Sequence, residues 1–240
     1  MKIVDFVFKV NYKLRLAWEK ETMNLKNPVW IFKGALSPSI CDHIIETSLK
    51  RKKEPAQIYG VSVGMTGEYR NLEKDPLTED QQKELLKKRD SKVIWLNEGW
   101  IFDLMFSYIN RANRQAEWNF QWDWTETSQF TIYEKNQFYG WHTDSAALLG
   151  SNPSMPGTHG KTRKISSNIL LSDPSTYEGG DFQIDNRMED PEVEKQNIWT
   201  APRDRGTVIV FPSSSWHRVT PVTKGVRHAL THWHWGQPWK

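Results

Sequence analysis

Short apolar runs separated by polar turn residues fill the chain from about Trp118 onward. The runs are rich in β-branched and aromatic residues, which favour strands. They cover residues 130–133, 139–142, 165–171, 181–184, 207–211, 216–222 and 227–235. Many short strands with turn signals between them are typical of a sandwich or barrel. We therefore predict a β-sandwich or β-barrel in this half of the chain.

The first half of the chain carries helical patterns. Ser37 and Pro38 supply a capping hydroxyl and a proline at the first helical position. Thr78 and Gln81 match a capping box that opens a polar helix ending near Lys88. A strand at 29–33 precedes these helices. Because helices come first and strands afterwards, we predict an α+β fold whose helices buttress one face of the β-sandwich.

A third helix is predicted after Asn97, whose side chain is expected to cap it. In this helix and in the first one, apolar residues recur at helical spacing and mark the face that is expected to pack in the core. The two faces comprise Ile40, Ile44, Ile45 and Leu49 in the first helix, and Trp100, Ile101, Leu104, Met105, Tyr108 and Ile109 in the third.

Length and composition fit one globular domain. Of the 240 residues, 38% are hydrophobic and 25% are charged, and one β-rich domain often reaches this length. We predict a single domain over residues 1–240, in which 1–117 form an extension with supporting elements and 118–240 form the β-rich core.

Charge and cysteine content narrow the classes of partner and compartment. A net charge of +3 is too small to indicate nucleic-acid binding, and the basic run 87–89 is expected to be a solvated helix end. The single cysteine, Cys41, excludes an internal disulfide and is expected to be a buried apolar residue. These features predict a reducing compartment, with the cytoplasm as the default location.

No segment of the sequence predicts contact with a membrane. Residues 1–10 include Asp5 and Lys9 and therefore cannot serve as the apolar core of a signal peptide. No apolar run approaches the length of a transmembrane helix. The oligomeric state is left open.

His142 and Asp144 are spaced so that a strand would place both side chains on one face. A distant histidine, His217, would then complete a 2-His-1-carboxylate set, which is typical of non-haem iron(II). A His-x-Asp pair is by itself a weak motif. Its strength depends on the residues around it.

Arg227 is the candidate for binding an anionic cosubstrate, because a planar guanidinium matches a carboxylate with paired donors. Its rival, Lys224, lies in a Thr-Lys-Gly turn where a solvated lysine is expected. If 227–235 is one strand, alternation puts His232 and His234 on the face opposite Arg227, outside the iron pocket. That pair is expected on a partly exposed strand capped by tryptophans.

The surrounding motifs occur in a fixed order. They read Gln-Phe-Tyr-Gly-Trp-His-Thr-Asp at 137–144, Tyr-Glu-Gly-Gly-Asp-Phe at 177–182, Phe-Pro-Ser-Ser-Ser-Trp-His-Arg-Val at 211–219, and Arg227. With these motifs the chain resembles the iron(II)- and 2-oxoglutarate-dependent dioxygenases, in the prolyl 4-hydroxylase-like branch that includes the bacterial PKHD-type hydroxylases. The resemblance covers roughly residues 29–235 and implies a double-stranded β-helix, or jelly roll, in 118–240.

The resemblance also implies roles for particular residues. Residues matching His142, Asp144 and His217 bind iron(II), and the one matching Arg227 binds the 5-carboxylate of 2-oxoglutarate. Tyr133 would assist that cosubstrate, and Tyr139 is a second candidate. The implied cofactors and cosubstrates are Fe(II), 2-oxoglutarate and O2, with ascorbate as a reductant.

Hydroxylation of a protein or peptide side chain is the leading functional hypothesis, and prolyl 4-hydroxylation with release of succinate and CO2 is the first choice within it. A small-molecule or free amino-acid hydroxylase and a non-catalytic jelly-roll binding module are the alternatives. Oxidative nucleobase demethylation is disfavoured, because such repair enzymes carry Arg-x-Asn-x-Thr-x-Arg where this chain reads Arg-His-Ala-Leu-Thr-His-Trp at 227–233.

Two loops and two tryptophans are further candidates around the site. The Gly-rich segment 58–67 and the loop 146–161 would flank the site and clasp an extended peptide. The second loop is a lid or a plain surface loop. Trp141 and Trp216 each precede an iron ligand, and we expect them to be core residues that face away from the iron.

Overall fold

The computed structural model describes residues 25–56, 77–145, 157–185 and 198–239. The helices are α1 (Pro38–Leu49), α2 (Glu79–Lys88) and α3 (Gly99–Gln115). The strands are β1 (Trp30–Phe32), β2 (Glu54–Pro55), β3 (Arg89–Asp90), β4 (Lys92–Leu96), β5 (Trp124–Thr125), β6 (Ser128–Tyr133), β7 (Phe138–His142), β8 (Thr162–Leu170), β9 (Tyr177–Gly179), β10 (Phe182–Asp185), β11 (Ile198–Thr200), β12 (Val208–Pro212), β13 (Trp216–Val219), β14 (Val222–Gly225) and β15 (Arg227–Gly236).

Two antiparallel sheets form the β-sandwich. The larger sheet has eight strands, of which seven follow the order β1-β12-β8-β15-β6-β4-β2 and the eighth, β5, pairs with β15. The smaller sheet has five strands in the order β11-β10-β13-β7-β3. Apolar side chains from both sheets pack together between them, including Tyr133 and Ile209 from the larger sheet and Phe182 and Ile184 from the smaller. This arrangement is the predicted jelly roll.

Helices cover the outer face of the larger sheet, as predicted. Ile101, Met105 and Ile109 of α3 are fully buried against a cluster that includes Phe130 of β6 and Leu230 of β15. Strand alternation therefore divides β6, β8, β12 and β15 into an outer face against the helices and an inner face toward the smaller sheet. Within the described ranges, no helix is long and apolar enough to cross a membrane.

The predicted caps are confirmed for two of the three helices. The Ser37 hydroxyl accepts a hydrogen bond from the Ile40 amide at 3.3 Å, and Thr78 and Gln81 form the reciprocal capping box of α2. The cap assigned to Asn97 is wrong. Glu98 precedes α3 and makes no side-chain cap, because its carboxylate is paired with Arg51 of the α1–β2 connection.

Some predicted core positions are also wrong. Leu49 is the last residue of α1 and Trp100 lies in the first turn of α3, and both are 39% exposed. Both residues continue the apolar periodicity into a terminal turn of their helix, where the side chain is open to solvent. Trp100 instead packs beside His43 of α1, with ring centroids 5.6 Å apart.

The predicted strand 216–222 is divided into β13 and β14. Thr220 and Pro221 separate the two strands, since proline has no amide hydrogen to continue the ladder. The second strand leaves the smaller sheet and pairs with β9. The sequence pattern missed the strand β4 and the short strands β3, β5, β9 and β11. Of these, β9 pairs with β14 and the others belong to the two sheets of the β-sandwich.

Candidate metal centre

Two neighbouring strands of the smaller sheet bring the two histidines together. His142 ends β7, and it lies directly opposite His217 of β13 in the antiparallel register. Their ring centroids are 4.0 Å apart. Asp144 follows two residues after β7, and its backbone amide donates to the carbonyl of Ser213 at 2.9 Å. The chain turn at 213–215 therefore fixes the position of the carboxylate.

Main-chain carbonyls orient both imidazoles. Nδ1 of His142 donates to the carbonyl of Gly140 at 2.9 Å, and Nδ1 of His217 donates to the carbonyl of Ser215 at 2.9 Å. A carbonyl oxygen only accepts, so Nδ1 carries the proton in each ring and the Nε2 lone pair is free to bind a metal. This is the arrangement expected of metal-ligating histidines.

The three side chains form a cage for a cation. Nε2 of His142 lies 3.7 Å from Oδ1 of Asp144, and Nε2 of His217 lies 3.4 Å from Oδ2. Oδ2 is buried and has no hydrogen-bond partner within the described ranges. Three electron-rich atoms thus face one another without a proton between them, which is favourable only around a cation. The His142, Asp144 and His217 set fits iron(II) by number and type of ligand.

Electrostatics hold His142 and Asp144 in metal-binding protonation states. Burial lowers the pKa of His142 well below its usual range, and the neighbouring His217 lowers it further. Burial opposes ionisation of Asp144, but His217 and His142 outweigh it and keep the pKa of that carboxyl well below its usual range. His142 is therefore neutral and Asp144 ionised at neutral pH.

Arg227 provides an anion site in the same pocket. It is 1% exposed and starts β15, where it lies directly opposite Tyr133 of β6. Nη2 donates to Oδ1 of Asn168 at 3.4 Å. Within the described ranges, Nε and Nη1 are buried without a partner. Because an unpaired buried guanidinium is costly, these donors indicate a carboxylate ligand.

Lys224, the alternative to Arg227, is not in the pocket. It belongs to β14, its side chain is 76% exposed, and Nζ pairs with Glu178 at 3.0 Å. The turn before β10 instead closes on Arg227. Gly180 has a φ of 63°, and a Cβ there would come within 2.9 Å of Cδ of Arg227.

Tyr133 lies near Arg227 and Asp144, and Tyr139 lies beside His142. Burial raises the pKa of Tyr133, and it raises the pKa of Tyr139 to about 12. Both phenols are therefore neutral hydrogen-bond donors at physiological pH. The ring of Tyr139 is stacked on His142, with centroids 3.5 Å apart and planes inclined by 12°.

Arg89 is a site residue that the sequence interpretation missed. The basic run 87–89 was expected to be solvated, but Arg89 is 6% exposed. Its guanidinium carbon lies 4.3 Å from the centroid of the Tyr139 ring. The signal was present in the apolar stretch 93–96, which marks a strand shortly after the helix. A strand there carries Arg89 into the sandwich and away from solvent.

The remaining candidates are placed away from the triad. His232 and His234 lie on the outer face of β15, as alternation predicts, and His232 packs against Phe102 of α3. They are fully buried, so the expected partial exposure is wrong.

Trp141 and Trp216 are half-buried rather than core. Trp141 lies beneath Arg218, which shares the outer face of the smaller sheet.

The two candidate loops cannot be placed in full. The Gly-rich segment 58–67 lies outside the described residues, and only 157–161 of the predicted lid are described. Their roles stay predictions.

Comparison with known proteins agrees with this geometry. Residues 128–235 match the family description "2OG-Fe(II) oxygenase superfamily". A PKHD-type hydroxylase of Xylella fastidiosa is 38% identical over 107 residues, which cover 44% of this chain and 42% of that protein. One of Teredinibacter turnerae is 35% identical over 105 residues, covering 44% and 41%. The chain thus spans about two fifths of the length of these curated relatives.

Solved structures show the same fold. A viral collagen prolyl hydroxylase from Paramecium Bursaria Chlorella virus-1 has a TM-score of 0.56 at 16% identity, covering 88% of this chain and 97% of its own. A Trichoplax adhaerens prolyl hydroxylase, solved in complex with a hypoxia inducible factor peptide, has a TM-score of 0.59 at 14% identity, covering 98% and 93%. The segment 128–235, which matches the 2OG-Fe(II) oxygenase superfamily description, contains all three candidate ligands and Arg227.

Proposed function

We propose that this protein is an iron(II)- and 2-oxoglutarate-dependent dioxygenase that hydroxylates a prolyl residue of a protein or peptide and releases succinate and CO2. One observation carries the proposal. Within the described ranges, Arg227 has buried donors without a partner and Asp144 has a buried Oδ2 without one, and the charges of both residues act on Tyr133. A dicarboxylate that reaches from a metal to a guanidinium matches both unsatisfied groups.

Each residue of the pocket has a distinct task in this proposal. His142, Asp144 and His217 hold the metal, and Arg227 binds the distal carboxylate of 2-oxoglutarate. The neutral phenols of Tyr133 and Tyr139 donate to cosubstrate oxygens. Bound iron(II) supplies the activation of dioxygen that couples decarboxylation of 2-oxoglutarate to hydroxylation. The two sheets exclude water from the cosubstrate.

The inner wall of the larger sheet favours a peptide substrate. Trp233 lies on the same face of β15 as Arg227, and its indole N–H is buried without a partner within the described ranges. Such a donor suits a peptide carbonyl. Trp95 of β4 is 40% exposed at the edge of this wall, with its ring centroid 6.3 Å from that of Trp233.

Arg163 holds this aromatic wall rigid. Both nitrogens of its fork donate to Glu126, at 2.9 and 2.8 Å, and its guanidinium lies 4.0 Å from the centroid of the Trp233 ring. Its charge also contributes to the low pKa of Asp144, so the wall is near the metal site. Flat indole faces pack well against a pyrrolidine ring, as in grooves that bind polyproline II peptides. Two proteins of the same fold are prolyl hydroxylases, which supports the same substrate class.

The test is to incubate the protein with Fe(II), 2-oxoglutarate and proteome-derived peptides, and to search by mass spectrometry for peptides that gain one oxygen atom on proline. Asp144→Asn, which keeps the shape of the carboxylate but removes its charge, should abolish succinate formation. Trp95→Ala should raise the peptide KM, while Trp100→Ala, an equally exposed tryptophan on α3, should not. Prolyl oxidation by Asp144→Asn at the wild-type rate would refute the proposal.

The small-molecule alternative makes a different prediction in the same assay. A free amino-acid hydroxylase would form succinate with small substrates, and peptides would not stimulate it. A binding module would form no succinate under any condition. We also propose ascorbate as an external reductant and the cytoplasm as the location, the latter supported by the single buried Cys41.

A further inference from the structure

We infer that Arg89 is a positioning residue of the metal and cosubstrate site, acting through Tyr139. The inference rests on the proposed function, since it concerns the same site. Nothing in the sequence motifs assigns a role to Arg89. The argument starts from how the chain delivers this side chain to the metal-binding strand.

The short strand β3 pairs with the edge of β7 opposite to β13. Helix α2 ends at Lys88, and β3 then pairs with β7 so that Arg89 lies directly opposite Tyr139. The backbone is close here, because a Cβ on Gly140 would be 3.1 Å from the carbonyl oxygen of Lys88. Asp90 accepts a hydrogen bond from Nε2 of Gln137 at 2.8 Å. The strand that ends in His142 is thus held against the end of α2.

The guanidinium of Arg89 is fixed before any ligand arrives. Nε donates to Oγ of Ser91 at 3.0 Å, and Nη2 donates to Oε1 of Gln129 at 2.8 Å. Ser91 and Gln129 are themselves buried. A planar fork held at two of its nitrogens has little rotational freedom left. Its flat face therefore forms a rigid surface for the ring beside it.

Tyr139 is held between Arg89 and His142. The guanidinium carbon is 4.3 Å from the Tyr139 centroid, and the His142 centroid is 3.5 Å from it with nearly parallel planes. An imidazole at that distance covers one face of the phenol, so the guanidinium occupies the other. A cation on the face of an aromatic ring is attracted to it, most strongly where water is excluded. Arg89 therefore presses the phenol against the ligand imidazole.

The stacking of Tyr139 on His142 restrains the imidazole ring in a way that its hydrogen bond to the carbonyl of Gly140 does not. The hydrogen bond from Nδ1 fixes the direction of the His142 ring, whereas the stacked phenol fixes its tilt. The same contact sets the direction of the Tyr139 hydroxyl. Partners that orient metal ligands typically change metal affinity about 10- to 100-fold when they are removed.

The experiment measures binding rather than turnover. Dissociation constants for Mn(II), and for 2-oxoglutarate in the Mn(II)-loaded protein, are determined for wild type, Arg89→Met, Tyr139→Leu and the double variant. Arg89→Met should weaken Mn(II) binding about tenfold. In the Tyr139→Leu background the same change should have less than about a twofold effect, because residues that act through one contact are not additive.

Two further variants separate positioning from folding. Arg111→Met is the matched control, since Arg111 of α3 lies 5.0 Å from the Phe32 ring, remote from the site, and its Mn(II) constant should be unchanged. Arg89→Lys retains charge but not the planar face, and it should fall between wild type and Arg89→Met. If Arg89→Met does not fold, Arg89→Lys carries the same test in both backgrounds.

The inference is overturned if Arg89→Met lowers the urea midpoint while both dissociation constants stay at their wild-type values. Equal effects in the wild-type and Tyr139→Leu backgrounds overturn it too. The proposed function would fail in a different way. The wild-type protein would then bind Mn(II) and 2-oxoglutarate, but with iron(II) it would oxidise no peptide. The effect of Arg89 on metal affinity would survive that result.

Discussion

At the scale of single residues, the pocket is organised by groups that lack a partner. Arg227 and Asp144 are buried with polar atoms that the described chain does not satisfy, although burying such atoms unpaired costs free energy. The protein keeps them in place with rigid neighbours, Asn168 beside Arg227 and the 213–215 turn beside Asp144. Unsatisfied but ordered donors and acceptors are what a site needs in order to bind its ligands without rearranging.

Arg227→Met should raise the KM for 2-oxoglutarate roughly 100-fold, because losing a buried charge-assisted pair costs about 2–5 kcal/mol. The Mn(II) dissociation constant should change little, since Arg227 is not a metal ligand. Lys224→Met, which removes an exposed amine from the neighbouring strand, is the control and should leave both values unchanged. Steady-state kinetics of succinate release check the first value. A larger KM effect for Lys224→Met than for Arg227→Met would contradict the assignment.

At the scale of secondary-structure elements, much of the site could be predicted because strand alternation is strict over short distances. It placed Arg227 on the inner face of β15 and His232 on the outer face. Alternation could not show that β3 exists, because two residues carry no periodicity, and so Arg89 was assigned to solvent. It also says nothing about what covers the outer face of β15, where Phe102 of α3 packs on His232 and Trp122 packs on His234, so the burial of the two histidines was missed.

The turn before β10 sets the position of Arg227, and glycine at 180 makes this possible. Gly180→Ala should destabilise the protein by about 1–2 kcal/mol, because its φ of 63° is unfavourable for alanine. It should also raise the KM for 2-oxoglutarate, since the new Cβ meets Cδ of Arg227 and Cγ2 of Val222 at 2.9 Å.

Gly34→Ala is the matched control for that change. Gly34 also has a positive φ, of 56°, but a Cβ there would have no neighbour within 4 Å. It should lose similar stability in urea titrations and keep the wild-type KM. Identical kinetics for the two variants would mean that the Gly180 turn does not position Arg227.

The outer face of β15 makes stability depend on pH. Burial lowers the pKa of His232 and of His234 to about 3. Between pH 6.5 and pH 3, both histidines are therefore protonated in the unfolded chain and neutral in the folded chain. The stability from each neutral histidine is fully present above pH 6.5 and is lost as the pH falls toward 3. Between pH 7 and pH 5, each should remove about 2 kcal/mol from the free energy of unfolding.

His232→Gln removes one of these titrating groups. Its free energy of unfolding should therefore fall by about 2 kcal/mol less than that of wild type between pH 7 and pH 5. Urea titrations at the two pH values measure the difference. Equal losses in the two proteins would show that His232 is protonated to the same extent in the folded and unfolded states.

At the scale of the whole molecule, the site depends on two sheets being held at a fixed separation. The smaller sheet and the loop after β7 supply the metal ligands, and the larger sheet supplies Arg227. The α+β fold with a β-sandwich or β-barrel was predictable because its strands carry clear apolar runs, whereas the jelly-roll topology was implied by the family resemblance. The strands from residues before 118 were harder to predict, because β2 and β3 have two residues each.

Strands on both sides of residue 118 pair with one another. β4 pairs with β6, and β3 pairs with β7, while α3 covers Phe130 and Leu230. We therefore expect residues 118–240 alone to lack a cooperative urea transition, whereas 25–240, which retains all the described elements, should keep one. Tryptophan fluorescence and far-ultraviolet circular dichroism measure this. A sharp transition in the shorter fragment would indicate an independently folding core.

The hydrogen bonds from Nδ1 to the carbonyls of Gly140 and Ser215 have a consequence for metal selection. They orient the imidazoles without help from an ion, so the cage does not require one particular divalent cation in order to form. Nickel, copper and zinc bind nitrogen and oxygen ligands more tightly than iron(II) does. The protein therefore has little means of rejecting them. We therefore expect the cation bound by the protein to follow the free concentrations of these metals in the cell where it folds.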